Sequence, residues 1–207
     1  MVAGIVDQIA PKVRLVIAKV ADSDGNATAW SLIQGLAFAV THGAEIANVS
    51  LGSPNQIAAL TDVMDWCESN HLLVVAAIGN SNLREAFYPA RISKVVCVAG
   101  LNPDDTKADF SNWEGSVRSS APATGIVSQW WDGEMGVWDG TSFAAPMVAA
   151  SLADCLRRKS GPVVLNTLRD AVKSSGGDLD ALNPDYRGEL GTLLDFQNLN
   201  AVLGSFP

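Results

Sequence analysis

One hydroxyl in this chain has surroundings suited to a nucleophile. Ser142 lies in Gly140-Thr141-Ser142-Phe143-Ala144-Ala145-Pro146-Met147-Val148-Ala149-Ala150, where small residues crowd it just ahead of an apolar run beginning at Ala144. That run predicts a buried helix. A Ser or Thr ahead of such a run is an N-cap candidate, and proline is tolerated in the first helical turn. The same placement also suits hydroxyl chemistry. Unpaired N–H groups and the positive end of the helix dipole would face an oxyanion developing beside Ser142. Taken alone the stretch satisfies either reading, a cap at Thr141 or Ser142, or a nucleophile. Asn80, closing Val74-Val75-Ala76-Ala77-Ile78-Gly79-Asn80, could offer a side-chain amide as a donor beside Ser142, or close its strand as an Asx-turn. Ser50-Leu51-Gly52-Ser53 ends another strand with a glycine, which lets backbone approach a ligand closely.

Positioning these groups is the task of the rest of the chain. Val2 to about Ile9 reads as a helix stopped by Pro11. The β-branched run Val13 to Val20 predicts a strand, and Asp22 to Asn26 a turn. Thr28 to Thr41 predicts a largely buried helix stopped at Gly43. Strands are expected at Glu45–Leu51, Leu72–Ile78 and Val95–Leu101, with a helix over Ile57–Ser69. Val127 to Trp138 reads as a hairpin turning at Asp132-Gly133. Helices follow from Ser142 to about Arg158, over Pro162–Ser174 and around Phe196–Leu203. Strands without clean alternation are buried on both faces, which predicts a parallel α/β sheet covered by helices. In such sheets ligands collect at the carboxyl ends of the strands, where Ser50–Ser53 and Gly79–Ser81 fall.

Composition narrows the partners. A chain of 207 residues, 48% hydrophobic and 17% charged, is long enough for one sizeable core. Its net charge of -8 excludes a phosphate-neutralising face, so no nucleic-acid partner is expected. No run reaches the roughly 18 consecutive apolar residues of a membrane span, and the first residues lack the basic start of a signal peptide. Cys67, Cys97 and Cys155 form no CxxC pair and sit in apolar or helical stretches, reading as buried thiols.

These stretches together resemble the subtilisin-like serine proteases. Gly140 to Ala149 matches the nucleophile motif GTSxAxPxVA of that family, and Val74–Asn80 the segment carrying its oxyanion asparagine. Ile46-Ala47-Asn48-Val49-Ser50-Leu51-Gly52 is similar to its substrate-pairing strand. Tyr88-Pro89-Ala90, Ala108–Asn112 and Ala121-Pro122 fall in the family's order, and Asp185–Asp195 is similar to its closing segment. The resemblance implies a three-layer, doubly wound, mostly parallel α/β sheet, with residues 1–207 as a single peptidase domain. It implies that Ser142 attacks the scissile carbonyl of a peptide or protein substrate while Asn80 and the Ser142 N–H hold the oxyanion. Ser50, Leu51 and Gly52 would pair with the substrate backbone, and Ala76, Ala77, Ile78 and Gly79 would line the pocket for the side chain before the cut. Ile78 is larger than the alanine expected there. The family resemblance also suggests an extracellular setting.

A serine needs a base to take its proton, and the chain has two histidines. His42 ends a predicted helix and His71 leads into the amino end of the Leu72 strand, away from the edge where the site forms. Asp7, Asp22 and Asp24 match no family motif. The family's histidine lies in HGTxVAG, and Met1-Val2-Ala3-Gly4 aligns just after its His-Gly-Thr. The base and its orienting aspartate are therefore expected in an N-terminal segment upstream in cis. The fragment alone is expected to be inactive, and poorly soluble or molten because the aspartate strand belongs inside the sheet. No cofactor or metal is expected: the link from Ile9 to Val13 is too short for the calcium loop of many relatives. The alternative function is a non-catalytic, subtilisin-like peptide-binding protein. An α/β-hydrolase would require G-x-S-x-G, whereas residues 140–144 read Gly140-Thr141-Ser142-Phe143-Ala144.

Overall fold

In the computed structural model, residues 1–159, 161 and 163–204 are described. The chain builds an all-parallel, five-stranded sheet in the order β1-β2-β3-β4-β7. Its strands are β1 (Ile46–Val49), β2 (Leu73–Ala77), β3 (Val96–Leu101), β4 (Val117–Pro122) and β7 (Thr192–Leu193). β5 (Ile126–Gln129) and β6 (Met135–Trp138) form the expected antiparallel hairpin. The helices are α1 (Val2–Ile9), α2 (Ala29–Thr41), α3 (Ala58–Ser69), α4 (Thr141–Arg158), α5 (Leu165–Ser175) and α6 (Phe196–Gly204). The predicted start of α5 at Pro162 lies outside the described residues.

Two apolar layers sandwich the sheet, as the non-alternating strands imply. Val74, Ala76 and Ile78 face Leu32 and Leu36 of α2 and Leu60, Met64 and Cys67 of α3. Leu73, Val75 and Ala77 face Ala145, Val148 and Leu152 of α4, with α5 and α6 beyond. This is the three-layer α/β architecture anticipated from the sequence.

Several local expectations change. Val13–Val20 is extended but belongs to no strand; among the described residues only the bridge Ala21↔Ala27 follows it. A strand exists by its ladder, and this segment has no neighbour to pair with. It packs on α2 instead: a side chain at Gly35 would meet Val20 Cγ1 at 2.3 Å, and Arg14 Nη2 donates to the His42 carbonyl at 2.6 Å. Between it and the outer edge of β1 runs a groove of about 710 Å³, bordered by Leu15, Ile17, Ala47, Asn48, Leu36 and Ala153. Strand β4 went unread because Val117-Arg118-Ser119-Ser120-Ala121-Pro122 is polar for a buried element. Its serines are satisfied by carbonyls across the ladder, Ser119 Oγ to Thr192 O at 3.1 Å and Ser120 Oγ to Leu190 O at 2.7 Å.

Candidate active site at the carboxyl rim of the sheet

Helix α4 begins one turn earlier than the apolar run suggests. Its N-cap is Gly140, not Thr141 or Ser142, and the φ of 150° there is one that glycine adopts readily. The cap reading for Ser142 is thereby replaced: Ser142 is the second residue of the helix, half-buried, with its N–H among the donors that have no intrahelical acceptor. The helix start is fastened to two strand ends. Gly140 N donates to Ala123 O just past β4 at 2.8 Å. Thr141 donates to Asn80 Oδ1 from its N at 2.9 Å and from Oγ1 at 2.7 Å.

That contact orients Asn80. With its oxygen engaged twice by Thr141, the Asn80 amide nitrogen has no acceptor among the described residues and lies 3.5 Å from where a Gly140 side chain would begin. The donor thus sits at the α4 N-terminus beside Ser142. Here a carbonyl oxygen gaining negative charge would meet an N–H, an amide and the helix dipole together.

Ser50 joins the group through a consequence of Pro146. Proline has no N–H, so the carbonyl four residues back, that of Ser142, loses its helical donor. Ser50 Oγ supplies it at 2.7 Å, and Ser142 Oγ donates in return to Ser50 O at 3.3 Å. Asn48 Nδ2 donates to Ser50 Oγ at 2.9 Å, while Asn48 Oδ1, buried at the groove, has no donor among the described residues. A short chain of bonds therefore links the groove to Ser142.

The other sequence-predicted residues divide. Ser50, Leu51, Gly52 and Gly79 lie just past the carboxyl ends of the paired strands β1 and β2. Ala76 and Ile78 are fully buried in the α2–α3 layer, and Ala77 faces α4. The expectation that the Ile78 side chain shapes the pocket is corrected: a strand alternates faces, and this position points into the helical layer. His42 and His71 stand at the amino ends of β1 and β2, with His42 Nδ1 against Phe38 O at 2.8 Å. The strand between His71 and Asn80 spans roughly 16 Å, so no histidine reaches Ser142.

Three supports were not read from the sequence: Phe87, Asn112 and Lys107. Asn112 Oδ1 accepts from Ser81 N at 2.9 Å and Leu83 N at 3.1 Å, holding the turn that follows Asn80. Lys107 Nζ donates to Asn82 Oδ1 at 3.0 Å and to the carbonyls of Ala108 and Ser111 at 3.0 and 2.9 Å, beneath the rings of Trp113 and Tyr186. Burial pushes this ammonium's pKa below the usual lysine range, against the charge of Asp109. The signal available for Asn112 and Lys107 was their place around the Ala108–Asn112 match.

Comparison with known proteins shows the family. The profile of Peptidase_S8, the subtilase family, matches residues 2–187. The chain belongs to the subtilase family. It is 32% identical to Subtilisin BL of Lederbergia lenta over 176 residues, covering 84% of this chain and 65% of that protein. It is likewise 32% identical to the minor extracellular protease Epr of Bacillus subtilis over 184 residues, 88% of this chain and 28% of the relative. Among solved structures it superposes on a cold-adapted subtilisin-like serine proteinase with a TM-score of 0.84 and 30% identity, covering 93% of this chain and 72% of that one. The patellamide maturation protease PatA superposes with a TM-score of 0.83 and 28% identity, over 96% of this subtilase and 78% of PatA. This subtilase therefore spans about two thirds of the length of Subtilisin BL.

Proposed function

We propose that this subtilase supplies the nucleophile, oxyanion hole and peptide-binding edge of a serine endopeptidase. The observation that carries the reading is the fastening of Asn80 to Thr141, which turns the free Asn80 amide toward the position beside Ser142. Ser142 Oγ attacks the scissile carbonyl carbon, and its proton passes to a base. The carbonyl oxygen becomes an oxyanion that accepts from Asn80 Nδ2 and Ser142 N–H. The C–N bond then breaks as the leaving amine takes the proton, and water releases the acyl group by the reverse roles. Backbone of Ser50–Gly52 pairs with an extended substrate as an added strand.

The base arrives with a segment seated in the groove beside β1. Support comes from the unpaired β1 edge, the unpaired Val13–Val20 segment, and the buried Asn48 Oδ1 that lacks a donor among the described residues. An extended N-terminal strand in cis would pair with both edges and offer that oxygen an N–H. An extracellular setting, suggested by the family resemblance, is in keeping with the Epr relative, a minor extracellular protease.

Joining to Met1 the upstream stretch of the reading frame, or the corresponding stretch of Subtilisin BL, tests this. The joined protein is expected to hydrolyse peptides and to label at Ser142 with a fluorophosphonate, whereas the 207-residue chain does neither. Ser142→Ala should then remove about 10⁶ in turnover and Asn80→Ala about 10²–10³, magnitudes known from subtilisin itself. A joined, folded protein that binds peptides with Ser142→Ala unchanged, and cleaves none, would establish the peptide-binding alternative.

A further inference from the structure

This inference rests on the peptide pose proposed above, with the carbonyl between Asn80 and Ser142 and the backbone along Ser50–Gly52. In that pose, the side chain of the residue before the cut enters between the end of β1 and the end of β2. Gly52 and Gly79 are the facing walls there. One side chain already runs between them. At Gly52 an added Cβ would lie 3.3 Å from Phe87 Cβ and 3.1 Å from Tyr88 O. At Gly79 it would lie 3.0 and 3.1 Å from Phe87 Cδ2 and Cγ, and 2.7 Å from Asn112 Nδ2. Phe87 thus leaves its backbone beside one wall and lays its ring against the other.

The ring is held in that position. Phe87 N donates to Ile78 O at 2.9 Å, tying the segment to the end of β2. Tyr88 exchanges both backbone bonds with Ser53 beyond the end of β1, at 2.8 and 3.0 Å. Ala86, Pro89 and Ala90 on either side are buried, so the backbone that carries the ring is fixed between the two strand ends. Phe87 itself is half-buried. The Asn112 amide nitrogen, buried and without an acceptor among the described residues, lies on the same side of Gly79, 2.7 Å from where a side chain there would begin.

We infer that Phe87 is the specificity-determining residue of this cleft, restricting the position before the scissile bond to small side chains such as those of glycine, alanine and serine. A larger side chain would need the volume the ring occupies. Pockets of fixed shape discriminate by about 10–200-fold for each methylene they cannot accept, and an aromatic side chain exceeds alanine by several.

Peptide boronic acids provide a test that needs no general base. Boron accepts the Ser142 oxygen, the Oγ proton passes to solvent, and the adduct places the side chain in the cleft. A tetrapeptide boronate series ending in glycine, alanine, leucine or phenylalanine is titrated against the joined protein described above by tryptophan fluorescence. The alanine compound is expected to bind at least about 30-fold tighter than the phenylalanine compound. Phe87→Gly should shrink that ratio at least about tenfold while alanine binding stays within about threefold, and Phe87→Leu should fall between. Equal binding of the alanine and phenylalanine compounds to the unaltered joined protein overturns the selectivity and leaves the cleft reading standing. Absence of binding by every compound, or binding undiminished by Ser142→Ala, overturns the cleft reading and the selectivity with it.

Discussion

The segments Val13–Val20 and Leu73–Ala77 are alike in composition and opposite in fate. Both are short apolar runs rich in valine. The second is β2, paired on both sides, with every residue buried. The first forms no ladder, and its Ile17 is 68% exposed along the groove. The difference shows that apolar β-branched sequence is permission to be a strand, while the neighbour supplies the fact. Unpaired edges on both sides of one groove also locate the poor solubility expected of the chain on its own. They offer two templates for unwanted pairing, whereas the sheet centre offers none.

The largest effect should come from placing the same charge in both regions. Val75→Asp buries an unpaired carboxylate at a fully enclosed site and should cost more than about 4–5 kcal/mol, abolishing the folded state. Ile17→Asp in the chain alone should stay within about 0.5 kcal/mol. It should become severely destabilising once the groove is filled by an upstream segment. Thermal unfolding monitored by circular dichroism compares the variants, and equal damage from both would break the contrast.

Amide exchange sharpens it without any substitution. The β2 amides should exchange only by global opening, while those of Arg14–Val20, with no backbone bond to another described segment, should exchange almost freely. The cysteines report on the packed layers at the same time. Burial raises the thiols of Cys67 and Cys155 to about 11 and that of Cys97 further still. Iodoacetamide at pH 8 should leave all three unmodified if the centre is packed, and rapid labelling would show that the loose edge has dissolved the core.

A more modest effect than that of Val75→Asp lies where α4 borders the groove. Burial works to raise the Asp154 carboxyl, but hydrogen bonds and charge from Arg158 and Arg157 outweigh it and hold the pKa below the ordinary range. A depressed folded value contributes stability above the unfolded pKa of about 3.9, and that contribution is lost as the pH falls through the folded value. Asp154→Asn should therefore lower the melting midpoint at neutral pH by about 2–4 °C, for about 1 kcal/mol, and have progressively less effect below about pH 4. An undiminished difference in acid would show that the ion pairs are not its source.

Legibility followed the same division between local and borrowed properties. Helices α1 to α3 and the hairpin were legible because caps, turn glycines and apolar faces act within a few residues. Strand β4 was not, since its serines become strand residues only when Leu190 and Thr192 present carbonyls to them. Ser142, Asn80 and Ser50–Gly52 could be singled out as candidates because motif and position at strand ends coincide. Phe87 was passed over because an isolated phenylalanine has no pattern of its own. Its part emerges only where it meets Gly52 and Gly79. Pro146 likewise looked like a tolerated helix residue, and its effect on the Ser142 carbonyl required Ser50 to arrive from elsewhere in the chain.

The sequence by itself determined the layered parallel α/β class, the family, and the identities of the groups at the rim, because these depend on residue type and short-range periodicity. The tertiary structure alone decided which run of valines became a strand, which way the Asn80 amide points, and which side chain fills the cleft. Those outcomes depend on hydrogen bonds and contacts between residues far apart in the chain, and no local property of either partner contains them.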